Sequence, residues 1–159
     1  MKIREIDNDL EHGKQLKKTG FWGRRGAGCL FQALDTGRIC IAHRSKYVEQ
    51  PDTWGTWGGA IDDNETPESA ARREAHEEAG YSGEMKLLPM FVFKHESGFT
   101  YYNFLALVKN EFKPNLDWES QGYVWSEYGD WPSPLHPGLK LLLADPDSAR
   151  LLQKYSKNQ

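Results

Sequence analysis

The stretch G-A-I-D-D-N-E-T-P-E-S-A-A-R-R-E-A-H-E-E-A-G-Y, residues 59–81, joins a glycine-led loop to a short helix carrying three glutamates. Thr66 and Pro67 read as an N-cap followed by the first helical position, and Gly80 as the C-terminal stop. An α-helix turns about 100° per residue, so Glu74, Glu77 and Glu78 project within one arc of roughly 100°. Three like charges so close repel, and nothing in folding asks for them. A hard divalent cation would turn that repulsion into attraction, because such ions are held by carboxylate oxygens. Ala70, Ala71, Ala75 and Ala79 on the flanks suit a helix packed closely on a sheet. His76 points away from the acidic arc.

Upstream of this stretch, residues 27–34 and 38–43 read as strands joined by the turn Asp35-Thr36-Gly37. Residues 45–58 read as a long loop rich in turn and aromatic residues. Downstream, 85–94 is a strand in which Pro89 marks an edge or a break. Residues 100–109 form a mostly apolar strand buried on both faces. A short strand at 122–126 and helices at 135–144 and 146–155 follow, with Asp145-Pro146 breaking the first helix and capping the second. Residues 1–19 are polar and read as an N-terminal arm. Strands with helices between them give an α/β sandwich, and 159 residues give a single domain over 1–159.

A net charge of −3 gives no general pull toward nucleic acid or anionic membrane. Cys29 and Cys40 are too few for a secreted disulfide framework. The opening M-K-I-R-E-I-D-N-D-L lacks the apolar run of a leader, and Leu141 to Ala144 is far too short to span a bilayer. A cytoplasmic protein with no membrane contact is expected.

The spacing of Gly59, Glu65, Arg73-Glu74, Glu77-Glu78 and Gly80 resembles the Nudix box, the signature of hydrolases acting on a nucleoside diphosphate linked to another group. All seven polar or glycine positions match; Ala75 and Tyr81 stand where the family usually has a larger aliphatic residue. With each residue type at roughly 6%, seven fixed positions arise by chance on the order of once in a million such chains. The resemblance implies a Nudix-type α/β/α sandwich with a mixed central sheet. It implies Mg²⁺ (or Mn²⁺), with Glu77 and Glu78 as principal ligands and Glu74 as a third ligand or a base. The Gly58 carbonyl is a further oxygen donor, and Gly58-Gly59 would let backbone approach metal or phosphate. Arg73 is placed four residues before Glu77, within ion-pair reach, and pointing away from Glu74. Its implied role, like that of Glu65, is to orient a box glutamate. The implied reaction is attack of water at phosphorus, splitting NDP-X into NMP and P-X.

Outside the box, Glu119 is the first candidate for an extra base or ligand, Glu96 the second, and Asp117 and Glu127 weaker ones. Each is otherwise an ordinary loop acid. Arg44 ends the second strand near the box loop and can meet a substrate phosphate or sit in a surface ion pair. Arg24-Arg25 offers the same choice. Trp54 and Trp57 can stack on a nucleobase or pack in the core. Phe21, Trp22, Tyr101 and Tyr102 are lesser stacking candidates, and Phe99 stands near a position that some family members use. W-P-S-P-L-H-P, residues 131–137, reads as the loop leading to the last helices.

The expected partner is a small nucleotide-type substrate, chosen by loops 45–57, 95–100 and 110–122. A capped RNA end is the one nucleic-acid partner left open, and a homodimer is compatible with the sequence. Two other readings compete. One is a non-catalytic nucleotide-sensing module on the same fold, against which the intact box weighs. The other is an isoprenoid diphosphate isomerase, which would need an active cysteine where Cys29 and Cys40 sit inside strands.

Overall fold

A computed structural model describes residues 25–157. The strands are β1 (Arg25–Ala33), β2 (Ile39–Arg44), β3 (Trp54–Gly55), β4 (Trp57–Ala60), β5 (Lys86–Lys94), β6 (Thr100–Val108) and β7 (Ser120–Ser126). The helices are α1 (Pro67–Ala79), α2 (Pro137–Ala144) and α3 (Pro146–Lys154). The sheet runs β3-β2-β1-β6-β5, with β4 paired to β1 and β7 to β2. The β1–β6 pair is parallel and the other pairs are antiparallel, so the sheet is mixed.

Alternation along β1 divides the core in two. Ala27, Cys29 and Phe31 face α1, whose Ala70, Ala71, Ala75 and Ala79 are almost wholly buried against them. Leu30 faces the other way, with Ile39, Ile41, Leu105 and Leu107, under Leu139 and Leu142 of α2 and Leu152 of α3. One helix on one face and two on the other give the α/β/α layering. Alanines on α1 keep the helix close to the sheet, which fixes how far its glutamates stand from the strand ends.

Helix α1 begins and ends as its residues dictate. The Thr66 hydroxyl accepts from the Ser69 N–H at 3.0 Å while the Ser69 hydroxyl accepts from the Thr66 N–H at 3.0 Å, a reciprocal cap. Gly80 takes φ +68° and donates its N–H to the His76 carbonyl at 2.9 Å. A side chain there would meet Asn115 at 2.8 Å, so both backbone and packing require glycine.

Pro89 lies on edge strand β5, where the β5–β6 register shifts between Pro89 and Val92. The proline supplies no N–H to the ladder, so edge and break occur together. Several strand and helix ends shift by one or two residues from the sequence reading, and two differences have an evident cause. The expected loop at 45–58 contains β3 and β4, because β4 finds a partner in β1, four registered residue pairs that no local signal announces. Helix α2 starts at Pro137 rather than 135, since Leu135 bridges to Trp54 and His136 is the cap. The arm at 1–19, together with Phe21, Trp22 and Arg24, lies outside the described residues. No helix among the described residues is long and apolar enough to cross a membrane.

Replacing Thr66 by Ala removes one half of the reciprocal cap and should lower unfolding stability by about 1 kcal/mol. The check is a denaturant titration in which the midpoint falls and the slope is unchanged.

Candidate active site

The loop before α1 is built around Glu65. Its Oε1 accepts from the Asp62 N–H at 2.8 Å. Arg73 then locks this loop to the helix. Its Nε and Nη2 donate to the two Glu65 oxygens at 2.7 and 3.0 Å, and Nη2 also donates to the Ala60 carbonyl at 2.9 Å. Nη1 reaches Glu74 Oε2 at 2.9 Å and Glu77 Oε1 at 3.2 Å. The side chain thus does not point away from Glu74, as its sequence position suggested; it curls back along the helix and touches three glutamates at once. These contacts, the Glu65 hydrogen bonds foremost, hold the guanidinium still further above its ordinary pKa.

Glu74 and Glu78 are one turn apart on α1 and only 3% and 4% exposed. Glu119, 6% exposed, arrives from the other side of the chain. Its N–H donates to Asp117 Oδ1 at 2.8 Å, and its carbonyl accepts from the Ser45 N–H at 2.9 Å. Pairing of β7 with β2, Ser120 opposite Arg44, carries it there. One carboxylate oxygen from each of Glu74, Glu78 and Glu119 lies within 4.8 Å of the others. Three buried carboxylates converging in this way fit a hard divalent cation such as Mg²⁺ or Mn²⁺. Glu77 stands outside the group. Turning 300° from Glu74 rather than 40°, it diverges from Glu78 and meets Arg73 instead. Glu96 is exposed, on the turn between β5 and β6, and is not in the group.

The two glycines of β4 face opposite ways. A Cβ on Gly59 would lie 2.6 Å from Glu74 Oε2, and one on Gly58 would collide with the Tyr101 hydroxyl and the Ala27 carbonyl. What they admit in this structure is a carboxylate on one side and a phenol on the other. The Tyr101 hydroxyl shares a 3.2 Å hydrogen bond with Thr56.

On the Gly58 side a cleft of about 390 Å³ opens between the sheet and α2. Arg25, Arg44, Phe93, Phe99, Asn103 and His136 line it. Arg44 donates from Nε and Nη2 to the Glu49 carbonyl at 2.8 and 2.5 Å, so part of its fork holds the 45–53 loop rather than an acidic side chain. Trp54 and Trp57, expected as stacking surfaces, do not line the cleft. Trp57 is fully buried under α1, with its indole N–H on the Cys40 carbonyl at 3.2 Å. Trp54 stacks on His43 at 4.2 Å and packs toward α2. Phe93 and Phe99, with ring centroids 6.3 Å apart, take the place of an aromatic wall. Phe93, Asn103 and His136 carried no signal in the sequence: two look like strand interior and the third like part of a proline-rich loop.

Cys29 and Cys40 are unoxidised and buried. Burial pushes the Cys29 thiol up to about 12, and raises Cys40 as well. Neither supplies a thiolate near neutral pH.

The His136 Nδ1 accepts from the Gly138 N–H at 2.8 Å, which leaves Nε2 carrying the proton. Burial first, and Arg44 second, hold its pKa down to about 4 from an ordinary 6.5. Between those values the unfolded chain binds a proton here that the folded protein does not. Stability from this group is therefore present above pH 6.5 and lost as pH falls toward 4, about 2 kcal/mol of it by pH 5. In His136→Asn, which keeps a capping oxygen, the drop in unfolding free energy between pH 7 and pH 5 should shrink by about that amount. An unchanged drop in urea titrations at the two pH values would contradict it.

A family model for the NUDIX domain matches residues 22–151. The chain is 36% identical over 135 residues to "Putative 8-oxo-dGTP diphosphatase 3" of Mycobacterium tuberculosis, covering 74% of this chain and 59% of that protein. It is 32% identical over 98 residues to diphosphoinositol polyphosphate phosphohydrolase 3-alpha of Mus musculus, covering 60% of this chain and 56% of that one. It therefore spans less than two thirds of the length of these relatives. Among solved structures, a Nudix hydrolase from M. smegmatis, RenU, superposes with a TM-score of 0.65 at 28% identity, over 82% of this chain and 84% of that chain. With its box intact and its α/β/α layers in place, the chain belongs to the NUDIX domain family.

Proposed function

We propose that this protein hydrolyses the pyrophosphate linkage of a nucleoside diphosphate derivative, NDP-X, to NMP and P-X, with Mg²⁺ or Mn²⁺. The convergence of Glu74, Glu78 and Glu119 carries the reading. A bound divalent ion neutralises phosphate oxygens and acidifies a coordinated water. Glu74, Glu78 and Glu119 would hold it. The Gly58 carbonyl and Glu77, which is bonded to Arg73 here, are proposed as further donors. Glu119 or Glu74 accepts the proton from the attacking water. Arg73 and Glu65 position the carboxylates and touch no substrate.

The cleft supports a nucleotide over the other chemistry named among the relatives. A diphosphoinositol polyphosphate is ringed with phosphates and calls for dense basic lining. Among the described residues this cleft offers Arg25 and Arg44 against Glu49, beside two phenylalanines and two leucines. Aromatic faces suit a nucleobase and a pair of arginines suits a short phosphate chain. A cytoplasmic setting is proposed on the two reduced, buried thiols.

The test is mononucleotide formation, read by chromatography, from nucleoside triphosphates, nucleotide sugars, ADP-ribose, NADH and dinucleoside polyphosphates, with Mg²⁺ and Mn²⁺. Glu78→Gln and Glu119→Gln should each lower kcat by about 10²-fold or more. Mg²⁺ should raise the Tm of both variants less than it raises that of wild type. Full activity in both variants, or a wild-type Tm indifferent to Mg²⁺ and Mn²⁺, would sink the proposal.

A further inference from the structure

Asn103 is a polar side chain, 5% exposed, in the middle of the apolar strand β6. It sits opposite Gly28 in the β1–β6 ladder, on the face that carries the cleft, and it lines that cleft. One amide proton is accounted for: Nδ2 donates to the Phe91 carbonyl at 3.0 Å. That carbonyl lies within the irregularity of β5 between Pro89 and Val92, where regular pairing lapses. The Phe91 N–H is likewise met by a side chain, donating to the Ser148 hydroxyl at 2.9 Å. Because a carbonyl only accepts, the bond to Phe91 fixes which end of the amide is nitrogen. It leaves Asn103 Oδ1, an acceptor, and the second N–H for the cleft. A ligand that covers this oxygen without offering it a donor would lose about 1–3 kcal/mol. Phe93 and Phe99 stand beside it as stacking surfaces.

We infer that Asn103 is a specificity-determining residue that reads the nucleobase, its Oδ1 accepting a hydrogen bond from an N–H on the base edge. The inference rests on the nucleotide reading above. Its ligands are bases with such a donor next to an acceptor, as in adenine (N6–H) or guanine (N1–H), which a carboxamide meets with two bonds. An unsubstituted purine has ring acceptors but no donor on that edge, and would cover Oδ1 without meeting it.

The test compares kcat/KM for purine riboside triphosphate with that for ATP or GTP, whichever the wild type cleaves faster. Wild type should favour the donor-bearing nucleotide by about 10- to 100-fold. Asn103→Leu should bring the two within about threefold, chiefly by loss on the better substrate. Asn103→Asp loses the same bond to Phe91 but keeps an acceptor facing the cleft, so it should retain most of the preference. A residue that merely pins the β5 irregularity predicts that both variants lose activity equally on both substrates. A wild type that cleaves ATP or GTP without preference, or a preference that survives in Asn103→Leu, overturns the inference and leaves the hydrolase reading standing. A wild type that cleaves no nucleotide with either metal overturns the hydrolase reading instead. The same comparison made on nucleotide binding then decides the role of Asn103.

Discussion

One guanidinium holds the acidic end of this molecule together. Arg73 bonds Glu65 twice, Glu74, Glu77 and the Ala60 carbonyl, and lies 3.6 Å from Asp62. It ties the loop leading out of β4 to the second turn of α1, so the glycines of β4 and the glutamates of α1 form one rigid body. Next to this knot, Glu78 and Glu119 each bring a carboxylate oxygen within 4.8 Å of one on Glu74. At an effective dielectric near 20, a pair of like charges just under 5 Å apart repels by about 3–4 kcal/mol. A divalent ion held by these oxygens would turn that repulsion into attraction.

Glycine connects this charged end to the cleft. β4 is four residues long, and its central Gly58 and Gly59 leave no side chain on either face. Glu74 presses on one face and Tyr101 on the other. The cleft floor and the carboxylate group are thus separated by a single strand of backbone. Asn103 and the glycines of β4 are both carried by the sheet rather than by a loop. Small-molecule sites built on strands hold their geometry for this reason.

Features that depend on near neighbours could be read from the chain alone. The cap at Thr66, the stop at Gly80 and the acidic arc of α1 are local, and all stand where the sequence puts them. The edge break at Pro89 was legible from one residue's chemistry. Features set by distant pairing were not. β4 exists because β1 accepts it, and that pairing takes Trp57 out of the cleft and into the core. Glu119 looks like any loop acid until β7 pairs with β2. Phe93 and Asn103 look like strand interior because the period of a strand does not say which face is covered. On this sheet the face above Asn103 is left partly open where α2 begins.

The 45–53 loop shows how the remaining specificity is held. Gln50 and Asp52 adopt φ of +50° and +60°, conformations that cost a non-glycine residue of order 1 kcal/mol or more each. The loop keeps them because its bonds over-determine its path. The Arg44 fork grips the Glu49 carbonyl, the Asp52 N–H donates back to the Arg44 carbonyl, and the Thr53 hydroxyl donates to the Gln50 carbonyl. Gln121 of β7 closes the ring on Asp52 and on Arg44. Glu49 and Gln50 are thereby fixed on the cleft wall facing His136. An arginine in this position therefore shapes the cleft even where it touches no phosphate. Its neighbour Glu119 ties the same loop, through Ser45, to the carboxylate group. The loop that shapes the cleft and the loop that supplies the third carboxylate are fastened to each other, so ligand contacts on one bear on the geometry of the other.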